Sequence, residues 1–244
     1  MNTIRPNEHR AKNAITLIWV MLILEAVSLI SGYFQYDLLR NVANGVETST
    51  DAANANDLRE QIIAIIYMMA YIVSIITFIL WFRRAYYNLH QKIDYLSYSE
   101  GWAAGAWFVP IVCLYRPYQI MKELYTETKE LLSRSELETI GGISASTSKN
   151  LSARSIDITD NLSTGRLGLW WAFWIISSIL GQIVFRYSRE AETIDELINL
   201  KIIDMVSSII SIPLALITIK VIKNYSEVEP SLSAMNDEPE ITGV

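Results

Sequence analysis

Four apolar stretches, residues 14–34, 61–82, 167–185 and 202–222, constrain this chain more than any other feature. An α-helix rises 1.5 Å per residue, so roughly 20 apolar residues cross the ~30 Å hydrocarbon core of a bilayer. The backbone finds no water there, and a helix satisfies its polar groups within the segment. The stretches therefore predict four transmembrane helices in an all-α integral membrane protein. Composition agrees, since 51% of residues are hydrophobic and most of the charges lie between the apolar stretches.

Each stretch has its own boundary signals. Arg5, Arg10 and Lys12 precede the first, as in a signal peptide. Its length, the presence of Glu25 and the lack of an Ala-x-Ala cleavage site predict a retained span instead. The second ends at Arg83-Arg84, and Asp57 and Glu60 ahead of it have capping-box spacing. The third opens with Trp170, Trp171 and Trp174, as an interfacial aromatic belt does. The fourth contains Pro213, which a span tolerates when neighbours satisfy the freed carbonyl, and closes with Lys220 and Lys223. Thr193 and Glu196 again have capping-box spacing and predict a helical start that continues into it.

Residues 101–115 (GWAAGAWFVPIVCLY) are apolar but too short to span, and Pro110 interrupts them. A helix over 101–109 rises roughly 13 Å, and an extended return over 111–115 covers about 16 Å. Matched legs predict a re-entrant segment with its tip near Pro110; the alternative is a fifth crossing through a thinned bilayer. Lys and Arg counts favour re-entry. Arg5, Arg10 and Lys12, and then Arg83, Arg84 and Lys92, mark cytoplasmic flanks, whereas the loop 35–60 is acidic and external. Re-entry keeps Arg116, Lys122, Lys129, Arg134, Lys149, Arg154, Arg166, Lys220 and Lys223 cytoplasmic, at the expense of Arg186 and Arg189 outside. The predicted layout is two antiparallel span pairs in the inner membrane, with both termini cytoplasmic.

Between the pairs, residues 117–138 predict a cytoplasmic amphipathic helix. Pro117 suits its first turn, and Ile120, Met121, Leu124, Tyr125, Thr128, Leu131 and Leu132 fall on one face. Residues 141–165 are rich in Ser, Thr, Asn and Gly and predict a mobile linker. A single membrane-helix domain thus covers 1–225, and the acidic stretch 226–244, with two prolines, predicts a disordered tail.

The segment from Trp81 to Tyr125 resembles the bacterial membrane family catalogued as domain of unknown function 4328. The resemblance rests on Arg84, Ala85, Asn88 and Leu89, then on Trp102, Trp107, Phe108, Pro110 and Ile111. Leu114, Tyr115, Arg116, Pro117, Tyr118, Glu123 and Leu124 extend it, and the aromatic run 169–174 is similar to the start of that family's next span. Cys113 departs from the pattern, where the family more often has Asn. The resemblance implies a bacterial membrane location and a similar bundle, and no particular activity.

The remaining residues exclude several chemistries. Net charge is −6 without a basic stripe, so nucleic acid is not an expected partner. Cys113 is the lone cysteine, and His9 and His90 stand far apart, so neither a disulfide nor a His/Cys metal site is expected. No Ser-His-Asp order or HExxH motif occurs, and no cofactor is expected.

The candidates that remain are polar groups in or beside the membrane. Glu25 sits about 16 Å into its span, where a carboxylate is costly and therefore marks a site. It is expected to face the 101–115 tip and accept hydrogen bonds from its backbone or indoles; a packing lock is the plainer alternative. Arg83, Arg84, Arg116 and Asn88 would surround the hairpin's mouth and receive anionic lipid headgroups or an anionic ligand, with Glu123 within helical reach of Arg116 as its partner. For Arg83 and Arg84, snorkelling accounts for the sequence as well. Trp102, Trp107, Tyr115 and Tyr118 read as interfacial anchors, and Gly101 and Gly105 as a close-packing pair. Asp204 is expected to pair with Lys201 or Arg186. These features predict a non-enzymatic membrane component that binds lipid or a membrane protein partner. A small transporter or channel subunit using Glu25 and the hairpin comes second, and a lipid-modifying enzyme third.

Overall fold

The structure, a computed structural model, describes residues 4–140 and 162–234. The described residues are helical, and six α-helices account for most of them: α1 (Glu8–Ala43), α2 (Thr50–His90), α3 (Glu100–Gly105), α4 (Arg116–Ile140), α5 (Thr164–Tyr187) and α6 (Ile194–Ala234). A 3₁₀ turn, Val112–Leu114, lies between α3 and α4. Helices α1, α2, α5 and α6 are long and apolar enough to cross a membrane. They include the four apolar stretches, and three of them run well beyond. The 41 residues of α2 or α6 rise ~61 Å, about twice the hydrocarbon thickness.

Local chemistry sets the helix ends. Helix α1 stops in a Schellman turn: Val46 N–H reaches Asn41 O, Gly45 N–H reaches Val42 O, and Gly45 takes φ +77°. Ser49 caps α2 by accepting Ala52 N–H at 3.2 Å. Helix α2 thus starts seven residues before Asp57, and the Asp57–Glu60 pair lies within it rather than at its start. At α6 the capping box forms as its spacing predicts. Thr193 Oγ1 accepts Glu196 N–H at 3.3 Å, and Glu196 accepts Thr193 N–H at 3.0 Å.

The chain divides into two compact units. Among the described residues, unit 1 comprises 4–14, 77–140, 162–168 and 220–234; unit 2 comprises 15–76 and 169–219. Each long helix contributes one part to each unit.

Unit 1 has an apolar core. Trp81, Phe82, Ala85, Tyr86 and Leu89 of α2 are fully buried, as are Ile120, Met121 and Leu124 of α4 and Ile222, Tyr225 and Leu232 of α6. Helix α4 buries most of the predicted face, with Ile120, Met121, Leu124, Tyr125, Thr128 and Leu132 buried and Leu131 half-buried. Tyr125 donates its hydroxyl to Val221 O at 2.6 Å, and burial pushes its phenol far above the usual range. The helical residues 226–234 move the boundary of the predicted tail. Tyr225, Val228, Glu229 and Leu232 recur at helical spacing and bury one face, which outweighs the acidic composition and Pro230. The predicted linker lies outside the described residues over 141–161; at its end Leu162 is buried and α5 has begun by Thr164.

Unit 2 reverses the pattern. Ile23 and Ile30 are each 63% exposed and Met69 65%, whereas Glu25 is 6% exposed and Ser31 and Asn56 are buried. Apolar side chains outside and polar ones inside is the arrangement that a hydrocarbon solvent favours.

Candidate functional site

Nine of the ten candidate residues, all except Glu25, fall in unit 1, between the end of the apolar part of α2 and the first turns of α4. Helix α3 has six residues and rises ~9 Å, shorter than the nine-residue leg predicted, and the return is a tight turn rather than an extended strand. Local bonds stabilise that turn. Cys113 N–H reaches Val109 O at 3.0 Å, Leu114 N–H reaches Ile111 O at 3.1 Å, and Trp107 Nε1 donates to Ala103 O at 3.1 Å. Ile111 holds φ +67°, a strained conformation for a β-branched residue. Around it, Phe108 (73%) and Ile111 (74%) are largely exposed, and Val109, Leu114 and Tyr115 are exposed as well. Pro110 is exposed at the tip, while Pro117 is buried where the segment enters α4.

Aromatic and polar contacts hold the base of this segment. Trp107 meets Phe78 edge-on, with centroids 5.6 Å apart. The Arg116 guanidinium lies 4.5 Å from the Tyr98 ring centroid, 5.4 Å from Tyr115 and 5.9 Å from Trp102, within cation–π range. Arg83 pairs with Glu100 at 2.8 Å. Glu123 accepts the Tyr86 hydroxyl at 2.6 Å and Ser97 N–H at 2.8 Å; these, rather than Arg116, are its partners. The Tyr118 hydroxyl packs close to Gly168, 3.8 Å from where a Cβ would stand.

Arg84 and Asn88 belong to a second group. Asn88 is fully buried and clamps the backbone of Arg5 from both sides. It accepts Arg5 N–H at 3.0 Å and donates to Arg5 O at 2.9 Å. It also donates to Glu229 at 2.7 Å, and Asn7 donates to both oxygens of the same carboxylate at 3.2 and 3.0 Å. Arg84 and Arg5 lie 5.8 and 4.5 Å from the Tyr87 ring. Sequence reasoning found Asn88 through the resemblance but missed Asn7, Arg5 and Glu229. The one signal for Glu229 was the Tyr225, Val228, Leu232 periodicity around it.

Glu25 belongs to unit 2, and its partners are hydroxyls of that unit: Tyr67 of α2 and Ser208 and Ser211 of α6, with Asp204 nearby. They take the place of the hairpin backbone or indoles that the sequence suggested. Further along the same three helices, Lys201 pairs with Glu60 at 2.9 Å and with Asp204 at 3.3 Å, one of the two partners expected for Asp204. Ser31 donates to Glu60, and Arg59 donates to Ser31 at 2.8 Å. A polar stripe thus runs through α1, α2 and α6. Among the described residues no cluster of three His, Cys, Asp or Glu side chains is placed to hold a metal ion.

The arrangement around α3 and α4 carries the motif residues of the family suggested by the sequence. The family described as domain of unknown function (DUF4328) matches residues 44–227, most of the chain. The protein is a member of the DUF4328 family. Comparison with curated proteins and with solved structures gives no match in either set. The DUF4328 match includes Arg84, Asn88, Arg116 and Glu123, whereas Arg5, Asn7, Glu25 and Glu229 lie outside it.

Proposed function

We propose that this DUF4328 protein is a non-enzymatic, multi-pass component of the bacterial inner membrane that holds lipid, or a membrane protein partner, beside residues 101–115. On this reading both termini are cytoplasmic, the spans form antiparallel pairs, and the 101–115 segment enters and leaves the bilayer on the cytoplasmic face. The observation that carries the reading is the exposed apolar turn at Phe108–Ile111, which water would not favour and lipid would. The Tyr86–Glu123 hydrogen bond supports re-entry, because a full crossing between those residues would separate them by roughly 30 Å. The Asn7–Glu229 bonds support an even number of crossings, with both ends of the chain on one face.

Cys113 offers a direct test. A nitroxide on this lone cysteine in proteoliposomes should be accessible to oxygen and shielded from a water-soluble nickel complex. Free collision with nickel would sink the insertion reading.

One observation favours a second reading, ion handling within the membrane. Glu25 is buried among hydroxyls in a unit whose outer surface is apolar. Proteoliposome flux of protons or monovalent cations, lost on Glu25→Gln, would select it; equal fluxes in empty and loaded vesicles would remove it.

A further inference from the structure

Three arginines gather where the apolar part of α2 ends. Arg10 donates to the carbonyl of Leu80 at 3.0 Å, so its guanidinium reaches back to the last turn of the apolar stretch. Arg84 follows Phe82 by two residues, and Arg5 stacks on Tyr87 within the same neighbourhood. Arg84 lies within electrostatic range of both Arg5 and Arg10. Among the described residues, none of the three has a carboxylate at ion-pair distance. The two carboxylates that influence Arg84 are engaged elsewhere: Glu100 with Arg83, and Glu229 with the amides of Asn7 and Asn88.

Like charges disperse unless something holds them. Here the backbone does so, because Asn88 binds both polar groups of Arg5, and Glu229 ties Asn88 to Asn7 two residues further on. Burying a carboxylate and two amides is costly unless their bonds are made, and here those bonds fix one location for the N-terminal segment. The result is a preorganised patch of three guanidiniums beside a tyrosine face. Guanidinium is the side-chain group best matched to phosphate oxygens.

We infer that Arg5, Arg10 and Arg84 form a binding site for the phosphate of an anionic phospholipid headgroup, with Asn88, Asn7 and Glu229 as positioning residues. The patch begins within one helical turn of the apolar stretch, at the level where lipid phosphates lie. This inference rests on the proposed membrane orientation but not on insertion of the 101–115 segment. It names Arg5 and Arg10 in place of Arg83, which is paired with Glu100, and of Arg116, which lies among the Tyr98, Trp102 and Tyr115 rings rather than in this group.

Native mass spectrometry of the full chain, released from detergent micelles doped with phosphatidylglycerol or phosphatidylcholine, tests it. The wild type should retain phosphatidylglycerol in preference. Arg5→Gln and Arg84→Gln should each lower that retention roughly five-fold, while Arg134→Gln, exposed on α4 and paired with Glu130, leaves it unchanged. Asn88→Ala should reduce retention in the wild-type background and add nothing in the Arg5→Gln/Arg10→Gln background, because it acts through those two arginines; a merely structural role would add a further loss. Equal retention of both lipids, or retention insensitive to Arg5 and Arg84, would overturn the site. Displacement of phosphatidylglycerol by millimolar inorganic phosphate would overturn the lipid assignment in favour of a free phosphate ester. A failed Cys113 depth measurement with these lipid results intact would remove the re-entrant segment and leave this site standing.

Discussion

The two units contrast in how they treat the same kinds of side chain. Unit 1 packs tryptophan, tyrosine and leucine inside and keeps most charges at its surface, as proteins in water do. Unit 2 turns isoleucine, valine and methionine outward and keeps Glu25, Ser31 and Asn56 inside. Helices α1, α2, α5 and α6 pass from one regime to the other without a break. The switch comes near residues 14, 77, 168 and 219, where charged and aromatic residues begin or end the apolar stretches. The contrast teaches that burial has no fixed chemical meaning along one helix, because the solvent decides which face is the inside.

Substitutions can break that comparison. The largest effect is expected in unit 1, where Trp81→Ala should lower unfolding stability in detergent by roughly 3–5 kcal/mol, through lost apolar burial and a cavity. The similar truncation Met69→Ala, on the outward face of unit 2, should barely move the same denaturation midpoint. A comparable loss in both would show that unit 2 is packed like unit 1. Next comes Met69→Asp, which should oppose membrane insertion by about 2.5–3.5 kcal/mol if Met69 faces lipid near mid-bilayer, and less nearer the interface. Glycosylation-tagged insertion assays measure this, and normal insertion would contradict a lipid-facing Met69. Asn88→Leu follows, at about 1–3 kcal/mol, because it leaves the Glu229 carboxylate short of a donor; hydrogen exchange should show the Arg5–Asn7 segment released first. The smallest effect sharpens the contrast at a helix end. Ser49→Ala should cost about 1 kcal/mol and shorten α2 at its first turn, read as faster amide exchange at Ala52.

The spans were legible because an apolar run needs no knowledge of its partners. The Thr193–Glu196 cap and the Lys201–Asp204 pair were legible because they are local. Asp57–Glu60 misled for a physical reason: Ser49 had already capped the helix, and Glu60 serves Lys201 and Ser31 instead. The acidic stretch after Ser226 concealed a helix whose buried face needs only Val228, Glu229 and Leu232. The Asn7–Glu229 contact spans 222 residues, and no spacing rule brings such distant positions together. Glu25 was recognised as a costly carboxylate, but the hydroxyls around it lie on α2 and α6 and are invisible in sequence, which pointed to the hairpin instead.

The central proposal is that residues 4–14, α4 and the end of α6 share the cytoplasmic face of the membrane. The most direct test is thiol labelling in intact and permeabilised cells, in a Cys113→Ser background with single reporters at Lys122→Cys and Ser233→Cys. Both positions are exposed on the protein surface. The account predicts that a membrane-impermeant reagent labels both only after permeabilisation. Labelling of both in intact cells would place α4 and the end of α6 outside, as a full crossing by 101–115 requires, and would contradict the shared cytoplasmic face.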